Sequence, residues 1–252
     1  MFTLICFALK EEAAPFRKMA GDRPVSILLT SIGRRNAEKS VRGYLGSAPA
    51  SGAAVDASST AQANDGASFA TRAGARGPQL ILTCGFAGGL NPDLKIGQVV
   101  FEIRPLTPAL SPLGGARETG APVNQLSSKL SAAGAKPAKF FCADRIATTV
   151  AEKKKLRDET GADAVEMESE AIHAVCAERG IPCATVRVIS DTASENLPLD
   201  FNALSKADKS LDYGKLFLAI AKSPGKVGAL RKLQKNTAFA AEQLAKVLEK
   251  LI

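Results

Sequence analysis

The 252-residue chain has a single histidine, His173, and no tryptophan. A histidine-based catalytic triad and a multi-histidine metal site are therefore nearly excluded. Five cysteines stand far apart, at Cys6, Cys84, Cys142, Cys176 and Cys183. None forms the close C-x-x-C pair of a zinc or redox site, so they read as buried free thiols of a reducing cytoplasm. No apolar run approaches the roughly 20 residues that span a bilayer, which argues against an integral membrane segment. The opening MFTLICFALK is apolar but short, with its first charge at Lys10. It reads as a buried strand and not as a secretory leader. The formal net charge is +8, yet the basic residues are spread along the chain and no aromatics interleave them. A nucleic-acid partner is thus the weakest reading of that charge.

Hydrophobic residues make up 46% and charged residues 23%, an ordinary globular balance that one α/β domain spanning 1–252 accommodates. Apolar runs at Thr3 to Ala8, Val25 to Leu29, Leu80 to Thr83, Ile96 to Phe101, Lys139 to Ala143 and Pro182 to Ile189 read as strands. Helical spacing lies between them, at Asn36 to Leu45, Asn124 to Ala133, Ala151 to Thr160 and from Ala171 to about Gly180. Two further helices are expected near Lys206 to Ala221 and Val227 to Leu251. The alternation predicts a three-layer α/β/α architecture around a central mixed sheet. Residues 47–79 are almost all small or polar and read as a low-complexity insertion, and 104–123 as a Pro/Gly-rich loop.

In such folds ligands bind at the carboxyl ends of strands. Four clusters fall there: Glu11-Glu12, Ser31 to Gly33, Gly85 to Gly89, and Ser190-Asp191. The glycines permit close backbone approach to a ligand, or simply a tight strand exit. Asp191 follows a long apolar strand, where desolvation fits a carboxylic acid to donate a proton. Its structural alternative is an N-cap on a following helix. Glu166 and Glu168 flank Met167 where the chain enters a helix. At i and i+2 they do not face each other on that helix, so one is free to bind a neutral diol while the other is structural. The alternative is favourable charge at a helix N-terminus.

Five pieces, in order, resemble one family. Val165-Glu166-Met167-Glu168 and Val186-Arg187-Val188-Ile189-Ser190-Asp191 are similar to the VEMEx and VRxISD segments of family-I nucleoside phosphorylases. Ala8 to Glu12, Ser31 to Arg34, and Phe86 to Leu90 with Lys95 to Gly97 match further segments, most closely those of methylthioadenosine/S-adenosylhomocysteine nucleosidases. The resemblance implies a nucleoside phosphorylase-like fold and cleavage of the N-glycosidic bond of a purine nucleoside or adenosyl compound. It implies that Asp191 protonates the leaving base at N7, that Glu12 activates water, and that Glu168 binds the ribose hydroxyls with Met167 against the sugar. Glu166, Phe86, Ala87, Gly88, Ser190 and Ile146 would complete the substrate site. No cofactor or metal is implied, although phosphate is a conceivable co-substrate, and the assembly would be a homo-oligomer.

The chain also departs from the family. Phe86 replaces a serine that holds water or phosphate, and Thr83 stands where phosphorylases carry a phosphate-binding arginine. Arg34 and Arg187 are the candidate substitutes. Arg145 and Ile146 stand where a purine-stacking aromatic is expected. Two alternatives follow: a nucleoside-binding protein that has lost catalysis, and a hopanoid-associated phosphorylase acting on adenosylhopane, which the Ile189 to Asp191 and Leu197-Pro198 run resembles.

Overall fold

The structure is a computed structural model, and it describes residues 2–21, 23, 25–47, 77–104, 120–204 and 224–252. Among these, β1 (Thr3–Phe7), β2 (Val25–Leu29), β3 (Leu80–Gly89), β4 (Val99–Ile103), β5 (Lys136–Pro137), β6 (Phe140–Cys142), β7 (Ala164–Glu166) and β8 (Cys183–Asp191) form one sheet. The helices are α1 (Lys10–Ala20), α2 (Arg34–Ser47), α3 (Gly120–Ala133), α4 (Val150–Thr160), α5 (Ser169–Glu178) and α6 (Val227–Leu251). The principal strand order is β2-β1-β3-β8-β4-β5. β1, β2, β3 and β8 run parallel, whereas β4 is antiparallel to β8 and β7 to the end of β3. The sheet is mixed, as the alternation of elements predicts.

The central strands are mostly apolar because both faces are covered. On one face Ile5, Phe7, Leu82 and Val186 pack with Phe16 of α1, Leu130 of α3 and Leu244 and Leu248 of α6. On the other, Leu4, Cys6 and Ile81 pack with Val41 of α2 and Ile172, Val175 and Cys176 of α5. This is the three-layer arrangement. All five cysteines are buried free thiols. Among the described residues no helix is long and apolar enough to cross a membrane.

Several boundaries differ from the sequence reading. β3 does not stop at Thr83. It continues through the glycine cluster to Gly89, because its second half pairs with both β8 and β7. The glycines therefore lie within a strand, not in a turn. The Ile96 strand begins only at Val99. The Pro/Gly-rich loop ends earlier than 123, since α3 starts at Gly120. Residues 48–76 of the proposed insertion, 105–119 of that loop and the helix expected at 206–221 lie outside the described residues.

Candidate active site

The site grows from the β3–β8 pair. These strands run in register from Ile81/Cys183 to Ala87/Ile189, after which Gly88 pairs with Asp191. Ser190 is thus an extra residue on β8, a β-bulge that re-aims the strand end. It breaks the alternation of side chains, and Ser190 and Asp191 both border the same cavity. Asp191 is the last residue of β8, and no helix follows it directly, so it is not an N-cap. Its Oδ1 accepts from the Ser190 hydroxyl at 2.8 Å. Its Oδ2 lies 2.5 Å from the ammonium of Lys153 on α4. A Cβ on Gly88 would stand 3.3 Å from Asp191 Oδ2, so the glycine leaves room for the carboxyl.

Glu12 faces the cavity from the first turn of α1. Its Oε2 accepts the Leu9 amide at 2.9 Å, reaching back over the helix start as a capping-box glutamate does. Its Oε1 accepts the Phe86 amide at 2.8 Å. Gly85 has φ +148, and a Cβ there would meet Glu12 Oε1 at 2.7 Å and Arg187 Nη1 at 2.8 Å. Glycine is required at this contact. Burial pushes the Glu12 carboxyl up to about 7, against Arg187 and the two amides that favour its charged form.

Glu168 and Glu166 converge on Arg187, which is buried. One guanidinium nitrogen lies 2.6 Å from Glu166 and 3.2 Å from Glu168. Glu166 also accepts from the Ser169 hydroxyl at 2.6 Å and the Glu168 and Ser169 amides at 2.9 and 2.8 Å. Burial opposes its charge, but Arg187 and these donors prevail and hold it below the ordinary range. Glu166 thus spends its lone pairs on the protein. Glu168 receives the Gly33 amide at 2.9 Å, delivered by a turn in which Ser31 takes a left-handed φ of 61. Burial, then the charge of Glu166, raises the Glu168 carboxyl despite Arg187. With the Arg187 guanidinium and the Gly33 and Met167 amides as its donors, Glu168 still keeps a lone pair for a diol. His173 lies apart from this cluster: burial depresses it to about 4, and its Nε2 is 2.9 Å from the Thr185 hydroxyl.

The cavity, about 270 Å3, brings together Glu12, Phe86, Ala87, Gly88, Ile146, Glu166, Met167, Glu168, Ser190 and Asp191. Its walls also include Leu9 and Ile32, which lie in two of the segments named above, and Leu197, Phe201, and Leu233 and Thr237 of α6, which the sequence reading did not place at the site. Phe201 supplies an aromatic where Arg145 and Ile146 do not. The Asn202 side chain grips Ile146 with two hydrogen bonds to its backbone, both 2.9 Å. Neither candidate phosphate clamp is available. Arg187 is engaged by the carboxylates, and Arg34 by Glu170, Asp144 and the Cys142 carbonyl. Arg145, a cation on the cavity wall, is held by Glu152 at 2.5 Å. Among the described residues no three His, Cys, Asp or Glu side chains are grouped to hold a metal ion.

Residues 120–222 match the family model of the phosphorylase superfamily. The chain is 30% identical over 146 residues to an aminodeoxyfutalosine nucleosidase of Campylobacter jejuni, covering 50% of this chain and 62% of that protein. It is 31% identical over 157 residues to the enzyme of the same name from Helicobacter pylori strain 26695, covering 56% and 67%. The chain belongs to the phosphorylase superfamily. This superfamily member also shares its fold with the crystal structure of a Campylobacter jejuni 5′-methylthioadenosine/S-adenosylhomocysteine nucleosidase. The TM-score is 0.60 at 18% identity, covering 100% of this chain and 98% of that one. The alignment with the first of these relatives thus spans less than two thirds of its length.

Within this superfamily member, Lys153 is the residue that sequence reasoning passed over. It stands in a run of three lysines on a polar helix, where nothing in the spacing marks one of them as buried.

Proposed function

We propose that the chain is an N-ribosyl hydrolase that releases the purine from an adenosyl-type nucleoside. The observation that carries this reading is that Asp191, Glu12 and Glu168 all line one cavity. Cleavage of a C–N glycosidic bond needs a proton on the leaving base and negative charge beside the cationic sugar. Asp191 gives its proton to N7 as the bond electrons pass to the base. Glu168 accepts the ribose hydroxyls. Glu12 takes the proton of the water that adds to the anomeric carbon. The carboxylates favour water over phosphate as nucleophile, because a phosphate would meet their charge with no uncommitted cation among the described wall residues. Buried thiols suit a reducing, cytoplasmic setting.

The test is purine release from methylthioadenosine, S-adenosylhomocysteine, aminodeoxyfutalosine, adenosine and inosine, each with and without phosphate. Release without phosphate is expected, and release strictly dependent on phosphate overturns hydrolysis. The apolar walls at Leu9, Ile32, Phe86 and Leu233 favour a second substrate, adenosylhopane, which belongs in the same panel. Failure on all of these would leave the inactive nucleoside-binding protein.

The pH dependence follows from Glu12. As a base it must be ionised, and burial raises it to about 7. Below that value kcat/KM is expected to rise about tenfold per pH unit as Glu12 ionises. Because the folded form holds this proton more tightly than the unfolded chain, the Glu12 contribution to stability declines over the same window, from about pH 4.5 to about 7. A rate profile flat from pH 5 to 8 would remove Glu12 as the base.

A further inference from the structure

Lys153 is one of the largest fully buried side chains, with 0% exposure. It sits in the first turn of α4, whose N-cap is Thr149. That is where the helix dipole disfavours a cation. Burying an ammonium is costly unless it is paired and hydrogen-bonded. Here its surroundings satisfy it fully. Nζ lies 2.5 Å from Asp191 Oδ2, 2.7 Å from the Thr192 carbonyl and 2.9 Å from the Glu195 carbonyl. Three acceptors meet the three N–H bonds of an ammonium. The turn that supplies the carbonyls is itself tied down, with Glu195 paired to Lys232 of α6 at 2.6 Å.

We propose that Lys153 is a positioning residue for the acid. It fixes the Asp191 carboxyl at the cavity and stabilises the carboxylate left when the proton has gone to the purine. This rests on the reading of Asp191 given above. The step balances simply. The proton leaves the Asp191 carboxyl for N7, the glycosidic bond breaks with its electron pair going to the base, and the new carboxylate forms an ion pair with an ammonium already in place. Lys153 neither gains nor loses a proton. The pair is strongest after the transfer, so the interaction favours the transition state over the bound substrate. The fixed geometry matters for the rate, because displacing a catalytic group by about 1 Å costs on the order of 100-fold.

A double-mutant cycle tests this, with the fastest-cleaved nucleoside of the panel as substrate. Lys153→Met in the otherwise native chain is expected to lower kcat by about 100-fold with KM little changed. In an Asp191→Asn background the same substitution is expected to change kcat no further, because Lys153 acts through the missing acid. An unchanged kcat in the single variant overturns the proposal, as does an equal loss in both backgrounds, which marks a purely structural lysine. If Asp191→Asn alone has no effect, or the native chain cleaves nothing in the panel, the functional reading fails and the proposal with it. If Lys153→Met does not fold, Lys153→Gln replaces it in the cycle. It keeps two N–H donors on a side chain one atom shorter and removes the charge, and the same outcomes decide.

Discussion

Asp191→Asn is expected to lower kcat by about 10²- to 10⁴-fold, the usual contribution of a positioned proton donor. Adenine affinity should change little. The substitution is nearly isosteric and disturbs the neighbours least. The amide oxygen can still accept from Lys153, and Ser190 keeps its bond to Ala87. What is lost is the transferable proton. Single-turnover kinetics beside equilibrium binding of adenine separate the two effects. A loss of binding equal to the loss of rate would mean that Asp191 holds the base without acting on it.

Arg187→Met is expected to cost about 3–5 kcal/mol of stability, the typical penalty for removing one partner of a buried ion pair. Arg187 separates two buried glutamates and lies against a third: Glu166 and Glu168 contact it, and Glu12 raises its proton affinity further. Without the guanidinium these carboxyls repel one another and can be buried only by taking up protons. The sign with pH follows. The variant binds more protons folded than unfolded, so its deficit should grow from about pH 5 to about pH 8. Thermal melting across that range reads it. A deficit independent of pH would show that Arg187 contributes packing alone.

The sequence exposes β1, β2 and β8 because they are largely buried and read as mostly apolar runs. α6 is legible at Val227–Leu251 because its buried half repeats at helical spacing. The glycine cluster is not. Gly85 to Gly89 has the composition of a turn, and only pairing with β7 and β8 keeps it extended. Glu12, Glu168 and Asp191 stand out through local motifs, and the structure gathers them around one cavity. Lys153, Phe201 and Leu233 carry no such signal. Each reaches the cavity region through tertiary placement: a lysine among lysines, an aromatic in a loop, and a leucine on the less buried half of a long amphipathic helix.

The extra residue at Ser190 makes the acid's place a matter of counting. Strand side chains alternate in parity, and Asp191 owes its side of the sheet to one insertion among the residues before it. Sequence drift by substitution leaves that parity intact. A gain or loss of one residue between Cys183 and Asp191 reverses it, breaks the pairing of Gly88 with Asp191 and moves the carboxyl off its present contact with Lys153. This stretch of β8 should therefore hold a fixed length in the chain's descendants even where its side chains vary, with the strand acting as a ruler whose last mark is the acid.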